Sequence, residues 1–233
     1  MAAAPEPQAE IQKRHQQTEL KELYSIRFAG TRDYRGQVWK ILVNDFFCRW
    51  IRPEHAVLDI GCGHGEFINS VIAARKYAMD LNPAAKECLA TDIRFFEQDC
   101  SAHWPLACGS LDAIFTSNFF EHLPTKAALR ATLREAFRCL RSGGCLIAIG
   151  PNAKALPGAY WDFFDHQLPL TERSLAEAMR LEGFRIECAT PRFLPYTMSQ
   201  GFRPPLWMVR LYLKLPLAWR ILGKQFLVVA RKA

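Results

Sequence analysis

Short apolar runs alternate with amphipathic stretches from residue 53 to the end of the chain. Runs of about four to eight apolar residues between turn residues are typical of buried strands, whereas apolar residues repeating every third or fourth position indicate helices. Strands are predicted at residues 56–60, 77–81, 93–98, 111–116, 145–149, 184–190 and 226–232. Helices are predicted at residues 67–74 and 126–140, the second ended by Ser-Gly-Gly, and another is expected to begin at Thr171.

This alternation of strand and helix predicts the fold class. Parallel strands need a crossover connection, which is usually a helix, and right-handed crossovers place helices on both faces of the sheet. The sequence therefore predicts an α/β protein with a doubly wound, mostly parallel sheet of seven strands, covered by helices on both sides.

The chain before the first strand divides into two parts. Residues 1–17 are polar, aperiodic and rich in Ala, Pro and Gln, so they bury too little apolar surface to offset the entropy of ordering, and a disordered tail is predicted. Residues 18–52 are amphipathic and predict two helices, separated by a turn near Gly30. The second helix collects apolar residues on one face: Val38, Ile41, Leu42, Phe46 and Phe47. Residues 53–233 then form one α/β domain.

The amino-acid composition limits the classes of protein to which this chain can belong. Hydrophobic residues make up 50% and charged residues 23% of the chain, an ordinary globular balance. No run reaches about 18 apolar residues and the first residues lack the apolar core of a secretory signal, so we expect a cytoplasmic protein. The eight cysteines show neither a CxxC pair nor a histidine at zinc-site spacing. We therefore expect reduced, mostly buried thiols and no metal.

The net charge of +7 is concentrated near the C-terminus, since no Asp or Glu follows Glu187. Residues 192–224 form a basic and apolar insertion between the last two predicted strands, in which Arg210 and Lys214 share one helical face and Pro216 should kink or end a helix. Such a segment can lie on an anionic membrane surface at the inner membrane face, cover a lipid-linked acceptor, or simply pack on the domain. Nucleic acid is disfavoured, because the basic residues lie among aliphatic ones and no nucleic-acid-binding module is present.

The strongest chemical signal is VLDIGCGHGEF at residues 57–67. Asp59 lies near the end of the first predicted strand, and Gly61, Gly63 and Gly65 follow before a predicted helix. Glycines permit a tight turn and close approach of the backbone to a ligand, and the helix start offers free N–H groups. The dinucleotide fingerprint is spaced G-x-G-x-x-G, whereas this turn is spaced G-x-G-x-G. An acid just before the glycines would repel a pyrophosphate but suits a ligand that carries an ammonium group.

This stretch resembles the first motif of class I, Rossmann-like S-adenosylmethionine-dependent methyltransferases, where the loop wraps the methionine part of the cofactor. The resemblance covers residues 56–152 and implies the strand order 3-2-1-4-5-7-6. Asp80 matches the family's acid that binds both ribose hydroxyls, and Asp99 with Cys100 matches its adenine-side position. The loop SNFFEHLP resembles the family's segment beside the sulfonium. The cofactor site implied comprises Asp59, Gly61, Cys62, Gly63, Gly65, Asp80, Leu81, Asp99, Cys100 and Asn118.

The N-terminal helices are expected to form a lid over this cofactor. Tyr24 and Arg27 are the lid residues expected to contact S-adenosylmethionine, or the product S-adenosylhomocysteine, and Tyr34 and Trp39 are further candidates to close over it.

Two histidines fall on the expected acceptor side. His122 follows the fourth strand and His166 follows the fifth, and a neutral imidazole can deprotonate or hold a hydroxyl. Both are candidate catalytic residues, although a loop histidine can also serve only as a structural hydrogen-bonding group. Tyr160, Trp161 and Asp162 are further candidates to line the pocket, or else belong to the core.

Resemblance to relatives with similar motifs implies O-methylation, or less favourably N- or C-methylation, of a small or lipid-linked and glycan-related acceptor. Two alternatives stay open: a nucleic-acid or protein methyltransferase, and a non-catalytic subunit that binds the cofactor and a partner protein. The sequence leaves the acceptor, the attacked atom and the oligomeric state unspecified.

Overall fold

The computed structural model describes residues 32–196 and 203–233. In this part the chain runs through six α-helices and seven strands. The helices are α1 (Arg32–Asp45), α2 (Glu66–Ser70), α3 (Lys126–Cys139), α4 (Glu172–Leu181), α5 (Leu206–Leu213) and α6 (Pro216–Leu222). The strands are β1 (Ala56–Ile60), β2 (Arg75–Asp80), β3 (Ile93–Glu97), β4 (Leu111–Ser117), β5 (Leu140–Pro151), β6 (Phe184–Thr190) and β7 (Gln225–Lys232).

The seven strands form one sheet in the order β3-β2-β1-β4-β5-β7-β6, which confirms the predicted architecture. The first five strands pair in parallel, and β7 runs antiparallel to both β5 and β6. The carboxyl ends of β1 to β5 therefore lie along one edge of the sheet. In open sheets of this kind, ligands bind in the crevice outside those ends.

Two apolar layers cover the sheet. Every residue of β1 is buried, as is expected for a central parallel strand covered on both faces. The residues of the predicted apolar face all lie in one layer, but α1 ends at Asp45, so Phe46 and Phe47 follow the helix rather than belong to it. Phe46 stacks there on Phe193 with ring centroids 4.6 Å apart. The other layer holds α3 and α4, and includes Leu133 and Leu175.

Two helix ends differ from the sequence pattern. The helix predicted at 67–74 ends at Ser70, because Val71 is already extended and the chain must reach the start of β2 at Arg75. The Ser-Gly-Gly predicted as a helix stop lies instead within β5, since Leu140 already pairs with Leu111. The helix beginning at Thr171 is as expected, and its hydroxyl caps the main-chain N–H of Ser174.

The basic and apolar insertion forms α5 and α6, and Pro216 occupies the first turn of α6, where its missing N–H costs nothing. Within the described ranges, no helix combines the length and the apolar character needed to cross a membrane. The tail predicted for residues 1–17, the first of the two N-terminal helices, Tyr24 and Arg27 lie outside the described residues.

Candidate functional site

The turn after β1 needs its three glycines. Gly61, Gly63 and Gly65 have φ angles of 65°, 52° and 71°, a region that L side chains rarely adopt. A Cβ on Gly61 would also collide with the Phe119 ring, and a Cβ on Gly65 would collide with Leu89. The motif therefore encodes both a left-handed backbone path and close packing against the loop after β4.

Asp80 ends β2 directly beside this turn. Its Oδ2 accepts a hydrogen bond from the Gly63 N–H at 2.9 Å, and its Oδ1 accepts one from the Asn82 N–H at the same distance. Burial raises the pKa of this carboxyl, while these backbone hydrogen bonds oppose the shift. Each carboxylate oxygen has a second lone pair, so Asp80 can still accept bonds from a ligand.

Three carboxyl groups crowd the turn. Asp59 is buried, and burial, followed by the nearby Glu66 and Asp80 charges, holds its pKa well above the usual range. Arg35 of α1 offsets part of this charge through an ion pair with Glu66 at 2.8 Å. In this turn the glycine backbone can approach a ligand closely, and acidic side chains surround it. Such a turn suits a cationic nucleoside such as S-adenosylmethionine. The residues present thus fit the cofactor that the sequence motif implies.

Asp99 and Cys100 form the predicted adenine side of the cofactor site. Asp99 is exposed, and its Oδ1 accepts hydrogen bonds from the Ser101 N–H and hydroxyl at 2.7 and 2.8 Å. The side chain therefore stabilises the loop in which it lies. Cys100 is buried against Thr132. Both follow the strand residue Glu97, which pairs with Asp80, and so lie along the same edge of the sheet.

The remaining predicted cofactor residues also lie along this edge. Cys62 is buried within the glycine turn, and Leu81 is half-buried directly after Asp80. Asn118 is exposed at the end of β4, with φ of 49°, and its N–H donates to the Ile149 carbonyl at 2.9 Å.

The structure brings the two predicted histidines together although 43 residues separate them in the chain. The ring centroids of His122 and His166 are 5.0 Å apart, and His166 is only 5% exposed. Glu121 lies beside them, 1% exposed, with its Oε1 3.9 Å from His122 Nε2. Burial raises the pKa of Glu121 to about 7. A carboxyl and two imidazoles thus share one enclosed place beyond the end of β4.

Backbone hydrogen bonds hold this cluster. The Glu121 carbonyl accepts from the N–H groups of Gln167 and Leu168 at 2.8 and 3.0 Å, and this pins the loop after β5 onto the loop after β4. The Tyr160 hydroxyl donates to the Leu168 carbonyl and its ring is buried, so Tyr160 belongs to the core. Trp161 is 56% exposed and Asp162 is also exposed, so both point away from the core.

Sequence reasoning missed three residues of this region. Glu121 could have been noticed as an acid within an otherwise apolar FFEHL stretch, directly beside a chosen histidine. Asp165 precedes His166 and contacts His122 Nδ1 through its carboxylate at 3.3 Å and its carbonyl at 3.1 Å. Nothing in the local pattern singled out Arg35, because its partner Glu66 lies 31 residues away.

Comparison with known proteins gives a consistent result. A family model described as a methyltransferase domain matches residues 58–148, which span β1 to the middle of β5. No curated protein matches the chain.

Several solved structures are similar over most of the chain. An Archaeoglobus fulgidus SAM-dependent methyltransferase is 19% identical, with 91% of this chain and 99% of that chain covered and a TM-score of 0.66. A putative Haloferax volcanii methyltransferase in complex with the activator Trm112 is 18% identical, with 92% and 96% covered and a TM-score of 0.65. Streptomyces coelicolor geranyl diphosphate C-methyltransferase, in complex with Mg²⁺, geranyl diphosphate and S-adenosylhomocysteine, is 14% identical, with 84% and 76% covered and a TM-score of 0.57.

At these identities the solved structures establish the fold, while the family match covers the strands that form the glycine turn and the acids around it. Residues 58–148 thus match a methyltransferase-domain family, and the strand order is the one implied by the resemblance to class I, Rossmann-like S-adenosylmethionine-dependent methyltransferases.

Proposed function

We propose that the protein methylates an oxygen atom of a small or lipid-linked molecule, with a glycan-related hydroxyl compound as the leading acceptor class. The observation that carries this proposal is the enclosed pair of His122 and His166 beside Glu121, along the sheet edge that also carries the glycine turn. Such a cluster can hold a hydroxyl and favour loss of its proton, which an oxygen nucleophile needs more than an amine does.

The glycine turn and its acids serve the donor. Asp59 and its neighbouring carboxyls attract the amino group of the cofactor, and Asp80 accepts from its ribose hydroxyls while it braces Gly63. Bound S-adenosylmethionine supplies a methyl group that is already activated by its positive sulfur. The protein therefore mainly aligns the acceptor oxygen with that methyl group and excludes water.

Exposed apolar side chains favour a hydrophobic methyl acceptor. Phe164, two residues before His166, is 94% exposed, and Trp161 projects from the same loop. Helices α5 and α6 and the short connection between them expose further large apolar side chains: Trp207, Met208, Leu211, Leu215, Leu217, Ile221 and Leu222. Together with the C-terminal basic residues they form a surface suited to the interface of an anionic membrane. We propose that this surface, α5 and α6, contacts the membrane from which a lipid-linked acceptor is taken.

The Haloferax neighbour bound to an activator gives the partner-subunit alternative a specific form, since this chain could likewise need a protein partner for activity. That alternative predicts no methyl transfer by the isolated chain and gain of transfer on addition of the partner. The nucleic-acid alternative predicts binding that falls steeply as salt rises.

The decisive experiment is transfer of labelled methyl from S-adenosylmethionine to fractions of a cell extract, with mass analysis of the product. We expect label in a hydroxyl compound that partitions with small molecules or lipids. His166→Ala should slow that transfer about a hundredfold while the affinity for S-adenosylhomocysteine is kept. The exposed His103 supplies the control, His103→Ala, which should transfer at the normal rate. Label found only in RNA or protein, or equal rates in the two variants, would refute the proposal.

A further inference from the structure

Glu121 presents a buried carboxylate oxygen to which no residue in 32–196 or 203–233 donates a hydrogen bond. Its Oε1 accepts none from the described residues, although the side chain is only 1% exposed. Its Oε2 lies 3.4 Å from where a Cβ on Gly150 would stand, so the far side of the carboxylate is closed by the end of β5. An unpaired buried acceptor destabilises the fold unless a ligand satisfies it, and the cost is larger for a charged group.

The neighbouring His122 is oriented toward this oxygen. Its Nδ1 faces the Asp165 carbonyl at 3.1 Å and the Asp165 carboxylate at 3.3 Å, and both of these groups only accept hydrogen bonds. Nδ1 must therefore carry the hydrogen, which leaves Nε2 with its lone pair in the neutral ring. That nitrogen is 3.9 Å from Glu121 Oε1, too far for a direct hydrogen bond, so two electron-rich atoms face each other across a gap.

The third side of the gap is formed by His166. Its ring stacks on Phe163 with centroids 5.1 Å apart and packs against Tyr160, so aromatic rings cover His166. One ligand atom from each of Glu121, His122 and His166 can be chosen so that all three lie within 4.8 Å of one another. Side-chain rotations that bring these atoms about 1 Å closer would give the spacing of three ligands around one small cation.

We propose that Glu121, His122 and His166 bind a divalent transition-metal cation, such as Zn²⁺ or Co²⁺, with at least one coordination position left open. Two imidazoles and one carboxylate are the ligand set of catalytic zinc sites and of other N/O sites for first-row metals. Asp165 is the positioning residue, because a carboxylate on the far nitrogen fixes the tautomer and orientation of a ligating histidine. This assignment replaces the expectation of no metal, which rested on cysteine and histidine spacing along the chain.

The role that follows for the open coordination position is to bind the acceptor oxygen, where the cation would lower the pKa of the acceptor hydroxyl. This role rests on the proposed oxygen methylation, whereas binding of the cation does not.

The test uses the full, tag-free chain, stripped with a chelator and titrated with Co²⁺ alone. We expect one Co²⁺ per chain with visible d–d absorption, displacement by Zn²⁺, and a rise in thermal stability on binding. His122→Gln and His166→Gln should each weaken Co²⁺ affinity at least a hundredfold, and Asp165→Ala about tenfold. The matched control is His103→Gln, which should bind Co²⁺ as the native chain does.

Binding of S-adenosylhomocysteine, measured on each variant, reports folding and separates the two proposals. If the half-buried His122 variant keeps that binding but loses Co²⁺, the metal site stands even where the His166 variant fails to fold. Absence of Co²⁺ uptake by the native chain, or uptake unchanged in both histidine variants, overturns the metal site. Such a result leaves the proposed methyl transfer intact, which the labelling experiment decides independently.

Discussion

The carboxylate of Asp80 accepts a hydrogen bond from the main-chain N–H of Gly63 at 2.9 Å. This bond joins the end of β2 to the middle of the glycine turn, so the acid assigned to the ribose also shapes the loop assigned to the methionine part of the cofactor. Two elements of the proposed cofactor site that are 17 residues apart in sequence are therefore joined directly by this hydrogen bond.

Replacing Asp80 by alanine should weaken the affinity for S-adenosylhomocysteine at least tenfold. The ligand loses a charged hydrogen-bond acceptor, and the Gly63 N–H loses the acceptor that holds the turn in place. A hydrogen bond to a charged group contributes about 1.5–3 kcal/mol, and about 1.4 kcal/mol corresponds to a factor of ten. Calorimetric titration measures the change. Asp92→Ala, at the other end of the β2–β3 pair, is the control and should bind normally. Unchanged affinity in Asp80→Ala would remove this residue from the site.

Gly61→Ala should abolish cofactor binding and lower the melting temperature. The φ of 65° costs an alanine about 1–2 kcal/mol, and the collision with the Phe119 ring adds to that cost. Gly158→Ala isolates the backbone effect, since Gly158 has φ of 81° and a Cβ added there would meet nothing within 4 Å. It should lower the melting temperature by only about 2–8 °C. Equal losses in the two variants would show that the Phe119 contact is unimportant.

Asp59→Asn should stabilise the ligand-free protein at neutral pH while weakening cofactor binding. Asp59 has a raised pKa in the folded state, so the native chain holds this proton more tightly than the unfolded chain does. Its stability therefore falls as pH rises from the ordinary aspartate range toward the raised value, and stays reduced above it. Asparagine removes this dependence, because it carries no charge. Thermal unfolding of both proteins from about pH 4 to about pH 8 tests this, and parallel profiles would contradict it.

The exposed surface of α5 and α6 should bind anionic vesicles. Arg210→Gln with Lys214→Gln should reduce co-flotation about tenfold or more, since each basic residue near such a surface contributes about 1 kcal/mol. The exposed pair Lys126→Gln with Arg173→Gln, on α3 and α4, is matched in charge and should leave flotation unchanged. Binding to neutral vesicles should be weaker in every protein. No co-flotation of the native chain would reject membrane contact.

A large part of the fold can be predicted from the sequence because parallel strands are buried on both faces and stand out as apolar runs. β1 is wholly buried, and its predicted bounds are the observed ones. The predicted α2 extends beyond its observed end. Residues 71–74 are apolar, and an apolar stretch is compatible both with a helix and with the segment that leads into a strand. The Ser-Gly-Gly segment is wrongly predicted for a related reason: glycines that end helices are also tolerated where a strand bends, and pairing of Leu140 with β4 decides between the two.

The sequence alone predicted the glycine turn, the acid that ends β2, the acid that follows β3, and the class of cofactor, because each of these depends on local backbone conformation and on short motifs. Only the tertiary structure decided what surrounds His122. The loop after β5 brings Asp165 and His166 to the adjacent pair Glu121 and His122, and no periodicity records such contacts. Their proximity is a product of parallel strand order, which gathers the carboxyl ends of distant strands at one edge.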